Sequence, residues 1–314
     1  MDTHSTLPVS TMQKVSQLPL ICLILGFLIV FLPVAIGQIF LMSLPLSRLW
    51  RGIAAVAFTL PVAYGAYYIL VHFIERRQMT ELNPSGAIRE IVQGVAIGGL
   101  FFGSIMAILA LAGAYKVVGI NHWSVLLPPF FFAISAAVFE EILFRGVLFG
   151  GIERSLGSWM AVVISAVIFG GLHLMNKDAT IVGVIGIMLQ TGITMGAAFM
   201  LTRRLWLPMG IHFAGTFTQG GIFGSSVSGN GAESGILRST FTGPDWLTGG
   251  AFGVEASIVT IALGLVLGIL LLWHAYRRGN ILPLRGMRER DDPLISHPAD
   301  RKMTDRPLEF GDSK

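Results

Sequence analysis

The stretch FEEILFRG, residues 139–146, places two carboxylates and a guanidinium in a run of Ile, Leu, Phe and Val. A charge at the centre of a bilayer costs at least about 2.5–3.5 kcal/mol on insertion scales. The run is therefore either a soluble core helix or a membrane helix whose charges answer to one another. Composition decides between the two. Of 314 residues, 53% are hydrophobic and only 13% are charged, and the mean hydropathy is +0.71. A soluble domain carries about 25% charged residues, so this chain lacks the polar surface to wrap a soluble core. It reads as an all-α, polytopic integral membrane protein.

A spanning helix needs about 20 mostly apolar residues, and about eight stretches meet that rule. They cover roughly 18–44, 52–74, 91–114, 124–150, 158–175, 179–201, 205–224 and 255–276. The chain divides accordingly into a polar N-terminal segment (1–17), N-terminal transmembrane helices (18–123), a core around the charged stretch (124–225), a Gly/Ser/Thr-rich loop (226–254), a last transmembrane helix (255–278) and a charged tail (279–314). The tail mixes both signs of charge with four prolines and few apolar residues, the composition of a disordered segment. A loop as long as 226–254 is usually functional or disordered, and its Phe241, Trp246, Leu247 and Phe252 argue against a plain linker. The single cysteine, Cys22, excludes an internal disulfide. A cleaved signal peptide is not expected, because the first apolar run is longer than an h-region.

The net charge of +4 reads as membrane topology, since excess Lys and Arg mark cytoplasmic loops. With eight crossings, one face collects Arg76, Arg77, Arg89, Arg154, Arg203, Arg204, Arg277 and Arg278. Arg48, Arg51, Lys116, Lys177 and Arg238 fall on the other. The expected setting is a bacterial inner membrane with both termini cytoplasmic, and no nucleic-acid partner. The 38 glycines are explained largely by close helix approach in lipid.

Polar residues inside the spans carry the chemistry. Glu141 and Arg145 are four apart, share a helix face and can pair. Glu140 is turned about 100° away and needs a partner of its own, a proton or water. One carboxylate thus reads as supporting and the other as available. Downstream, IFGGLHLMN puts His173 four residues after Phe169, and MGIHFAGTFTQGG puts Thr216 four after His212, with Gln219 near the same face. A lone intramembrane histidine is often just a hydrogen-bonded core residue. Two on different helices with an uncovered Glu on a third point to one polar cluster. A carboxylate and an imidazole can take a proton from water, and a second His with a nearby hydroxyl can donate to an oxyanion. Alternatively, Glu140, His173 and His212 are a plausible zinc set, although the single-helix H-E-x-x-H pattern is absent.

At these residues the chain resembles the CAAX protease and bacteriocin-processing (CPBP, or ABI) family of intramembrane endopeptidases, which includes the type II CAAX prenyl proteases. The resemblance rests on E-E-x-x-x-R (Glu140, Glu141, Arg145), F-x-x-x-H (Phe169, His173) and the pair His212, Thr216, within about residues 130–225. It marks 124–225 as a protease-like core. It implies hydrolysis of a peptide bond of a membrane-associated protein or peptide, prenylated or not. Glu140 and His173 would activate water, and His212 and Thr216 would form the oxyanion site. Glu141 and Arg145 would support them. It implies a glutamate-dependent mechanism with no cofactor, zinc being the alternative. One position departs from the family pattern, which usually has Asn or another amide-like residue where this chain has Thr216. That departure feeds the rival reading, a non-catalytic scaffold or bacteriocin-immunity-type protein that keeps the polar cluster for packing or partner binding.

Depth argues against the simplest arrangement. At 1.5 Å per residue, Glu140 lies about 24 Å and His173 about 22 Å from the starts of successive antiparallel spans, at opposite depths. They meet only if the fourth run is shifted, if FRGVLFGG partly unwinds, or if the turn at 176–178 lines a wet cavity.

Overall fold

The computed structural model describes residues 19–231 and 234–284. The polar segment 1–17 and nearly all of the tail lie outside them. Long apolar helices dominate. They are α1 (Pro19–Ser43), α2 (Arg48–Ile74) and α3 (Ala87–Leu111), then α4 (Leu127–Glu141), which runs through a π-helical stretch (Ile142–Phe149) into α5 (Gly150–Leu172). After them come α6 (Ile181–Thr202), α7 (Trp206–Thr216), which continues as a π-helix (Phe217–Ile222), and α9 (Ile258–Arg277). Six of these runs are long and apolar enough to cross a membrane. One of the six, Trp123–Met175, is broken at Gly157 (φ 75°, ψ 171°), where the backbone turns out of the helix. That break divides the run in two, and a shorter apolar helical run, Trp206–Ile222, lies outside the six. Short polar side chains start several helices: Ser47 accepts from Trp50 N–H, Thr180 from Gly183 N–H and Ser257 from Val259 N–H, satisfying orphan amides at the first turn.

The exterior is greasy. Ile36, Leu100, Val163 and Ile269 are exposed large side chains on four different helices, a surface suited to lipid and unsuited to water. All-α, polytopic membrane architecture follows directly. Within the bundle, α3 and α7 are the closest pair. Gly94 and Gly98 of α3 face Gly210 and Ile211 of α7, so that a Cβ on Gly94 would stand 2.5 Å from Leu207 O and 2.8 Å from Gly210 Cα. Small residues at this spacing let backbones touch, and in lipid such packing holds helices together. The contact fixes the helix that carries His212.

On the arginine-rich face, several guanidinium groups are already paired. Arg77 meets Glu75 and Glu81, each at 2.6 Å, Arg203 meets Glu153 at 2.5 Å, and Arg154 and Arg204 reach Glu75 and Glu90. The opposite face carries the only two strands among the described residues. β1 (Tyr115–Ile120) and β2 (Leu237–Phe241) pair antiparallel, from Tyr115 opposite Phe241 to Ile120 opposite Leu237, with an irregularity between Val117 and Gly119. The ribbon ties the link before α4 to the 226–254 segment. That segment is more ordered than its Gly/Ser/Thr content suggests: besides β2 it holds the one-turn helix α8 (Asp245–Thr248) and two 3-10 turns, Gly250–Phe252 and Val254–Ala256. Phe252 and Val254 are fully buried, so apolar anchors overcome the local flexibility of the glycines.

The α3–α7 contact predicts a contrast between two glycines. Gly210→Ala pushes a Cβ to 2.6 Å from Ile91 O, and overpacking of this kind costs about 1–3 kcal/mol. Gly99→Ala, on the same pair's open side with nothing within 4 Å of the added Cβ, is neutral or slightly stabilising through helix propensity. Heat-induced loss of the monodisperse peak in detergent measures both; equal behaviour of the two variants would refute the contact.

Candidate active site

Glu141 and Arg145 sit at the junction of α4 with its π-helical extension and are almost fully buried. Arg145 donates to Glu141 Oε1 at 3.1 Å and lies over the ring of Phe169, 4.7 Å from its centroid. The same carboxylate oxygen accepts from His212 Nδ1 at 2.8 Å. The ion pair expected from the spacing is therefore present, and it has a third member from α7. Ionised partners with hydrogen bonds to one another offset the desolvation that burial imposes on each. Glu140 points elsewhere. Its side chain is 28% exposed and its Oε2 stands 3.8 Å from His212 Nε2.

A cavity of about 240 Å³ opens beside this knot, and Glu140, His173, His212 and Thr216 all line it. Its walls are largely aromatic and aliphatic, with Phe139, Phe144 and Phe169 among them. Few convergent polar groups in an apolar pocket is the usual make-up of a ligand or active site. His173 donates Nδ1–H to Phe169 O at 2.8 Å. A carbonyl can only accept, so Nε2 is left with its lone pair. Phe169 supports that geometry by packing edge-on against both His173 and Phe144, at 4.9 Å each.

The depth conflict disappears for physical reasons. The helical run begins at Trp123 and continues without interruption to the break at Gly157, so Glu140 falls near its middle rather than near its end. The FRGVLF part widens into a π-helix instead of unwinding. His173 opens a 3-10 turn at the end of α5, and Asn176 after it lines the cavity. A polar turn at that depth is tolerated because it borders a cavity.

Sequence reasoning misses the far wall. Glu255, at the entry to α9, is buried and accepts from Ser228 N–H, from Ser228 Oγ at 3.0 Å and from Gln219 Nε2 at 3.3 Å. Asn176 Nδ2 donates to Ser228 O at 2.6 Å. Ser228, in a left-handed conformation (φ 51°), is thereby clamped between the turn after His173 and the start of α9. The available signal was an acidic residue at the head of the last apolar run. Gln219, near the His212 face in sequence, is spent on Ser226 O (2.5 Å) and Glu255 and is fully buried. It does not line the cavity and cannot stand in for an amide at position 216.

Among the described residues no group of three His, Cys, Asp and Glu side chains is assembled to hold a metal ion. Glu140, His173 and His212 share one cavity.

Comparison with known proteins points the same way as the motifs. Residues 121–218 match the family model "Type II CAAX prenyl endopeptidase Rce1-like". A Bacillus subtilis (strain 168) protein described as "Putative membrane peptidase YdiL" is 32% identical over 82 residues, which is 26% of this chain and 30% of that protein. The chain thus matches about a third of that relative's length. No solved structure matches. The matches support the likeness to the CAAX protease and bacteriocin-processing family.

The buried knot predicts an asymmetry between adjacent glutamates. Glu141→Ala strands a buried guanidinium and costs about 3–5 kcal/mol, whereas Glu140→Gln, at a partly exposed site, changes stability by less than about 1 kcal/mol. Unfolding in a detergent–denaturant titration distinguishes them, and equal losses would contradict the arrangement.

Proposed function

We propose that this chain is an intramembrane endopeptidase that hydrolyses a peptide bond of a membrane-associated protein or peptide. The observation that carries the reading is the division of labour between neighbouring carboxylates: Arg145 and His212 hydrogen-bond Glu141, while Glu140, 3.8 Å from His212 Nε2, stands on the wall of a cavity shared with His173, His212 and Thr216. The family match over 121–218 supports it.

In this mechanism Glu140 and the free Nε2 of His173 hold a water in the cavity. Glu140 takes its proton as the oxygen attacks the scissile carbonyl carbon. The C=O π electrons move to oxygen, which accepts hydrogen bonds from Thr216 Oγ and from a proton on His212 Nε2. Its Nδ1–H is already committed to Glu141, so the imidazole is oriented before substrate arrives. Collapse of the intermediate expels the amine, and Glu140 returns the proton to it. General-base catalysis by a positioned group contributes about 10²–10⁴-fold. These steps need no metal. The aromatic walls suit an apolar side chain or lipid group near the cleaved bond, prenyl or other. In this reading the arginine-rich face and both termini lie on the cytoplasmic side of a bacterial inner membrane, because excess Lys and Arg mark cytoplasmic loops.

Glu140→Gln and His173→Ala are expected to lower kcat/KM by about 10²–10⁴ while unfolding at the wild-type temperature. Cleavage should persist with a chelator present. The assay is hydrolysis of a library of membrane-anchored fluorogenic peptides by protein in nanodiscs. Well-folded wild type that cleaves nothing would favour the scaffold reading raised by Thr216. Cleavage abolished by chelator and restored by zinc would transfer the chemistry to a metal.

A further inference from the structure

One residue of the cavity wall carries a buried side-chain nitrogen that has no partner among the described residues. Gln190 lies in the π-helical stretch Met188–Gly192 within α6 and lines the same cavity as His212 and Thr216. It is 3% exposed, and its amide nitrogen has no hydrogen-bond partner among the described residues. Burying a donor unpaired is costly, and native structures rarely do so without a ligand, a water or a catalytic reason. The surroundings are built to admit it. Gly264 of α9 passes so close that a Cβ there would stand 2.2 Å from Gln190 Cβ. The π-helix is itself a costly local geometry that recurs at functional sites. Two neighbouring donors are occupied: Thr194 Oγ1 donates to Gly264 O at 3.2 Å, and the Gln219 amide nitrogen binds Ser226 and Glu255.

An oxyanion needs several preorganised donors, and one missing donor costs about 10²–10³ in rate. Thr216 supplies a single hydroxyl hydrogen, which must also find its direction. We propose that Gln190 is a further catalytic residue whose side-chain N–H donates to the oxyanion alongside His212 and Thr216. This rests on the endopeptidase reading above. The ligand is the carbonyl oxygen of the scissile peptide bond. As water adds to the carbon and negative charge gathers on that oxygen, the unpaired N–H acquires its acceptor, and it is released when the carbonyl re-forms.

Gln190→Leu tests the assignment in the full-length protein in nanodiscs. The expected result is a kcat lower by about 10²–10³-fold with KM little changed, and an unfolding temperature equal to or above wild type, because an unsatisfied amide has been removed. Adding Thr216→Asn to Gln190→Leu, which returns an amide from α7, should recover part of the lost kcat. Wild-type kcat in Gln190→Leu would overturn the assignment and leave the endopeptidase reading standing. A lowered unfolding temperature accompanying the lost activity would also overturn it, since Gln190 would then be a packing residue. Folded wild type that cleaves no peptide, with Gln190→Leu as stable as wild type, would overturn the endopeptidase reading and this assignment with it.

Discussion

One carboxylate oxygen holds the centre of this protein. Glu141 Oε1 receives both the Arg145 guanidinium and the His212 imidazole, joining α4 to α7 in the middle of an apolar bundle. Isolated, each of those groups would be expelled from lipid or forced to neutralise. Together they form a polar knot that has one good geometry, so it specifies the relative rotation of two helices more sharply than aliphatic packing would. The α3–α7 glycine contact fixes the same helix from its other side. His212 is thus held from two directions, and the cavity takes its shape between them.

Much of this was legible in the residues. The i,i+4 spacing of Glu141 and Arg145 announced a pair, and the 100° offset of Glu140 announced a carboxylate left over. The apolar stretches correspond to helical runs, six of them long and apolar enough to span a membrane, because about 20 apolar residues have few other fates. Less visible was the third partner of Glu141. Sequence spacing reports neighbours on one helix and says nothing of which distant helix supplies His212. Depth was misjudged for a related reason. Counting from the first apolar residue assumes an α-helix of uniform rise ending at the membrane surface, and the run through 142–149 is neither.

The far wall of the cavity shows a different blind spot. Segment 226–254 reads by composition as a Gly/Ser/Thr-rich loop with a few apolar anchors, and its attachments are invisible there: Asp178 N–H donates to Gly229 O and Gly229 N–H to Phe252 O, both at 2.8 Å. Glycine content here measures tight backbone approach rather than freedom. Val227, Ser228 and Asn230 of this segment are part of the cavity's boundary, and Glu255, the carboxylate that secures it, lies three residues before α9.

Three π-helical stretches, at 142–149, 188–192 and 217–222, follow or contain the polar residues on the cavity wall. Such stretches are rare and recur at functional sites. A fourth, Leu70–Ile74, ends α2 and does not line the cavity. With i→i+5 bonding, each stretch turns the side chains that follow it relative to an α-helical count, so the faces expected from 3.6-residue spacing change partway along three of the helical runs that enclose the hollow.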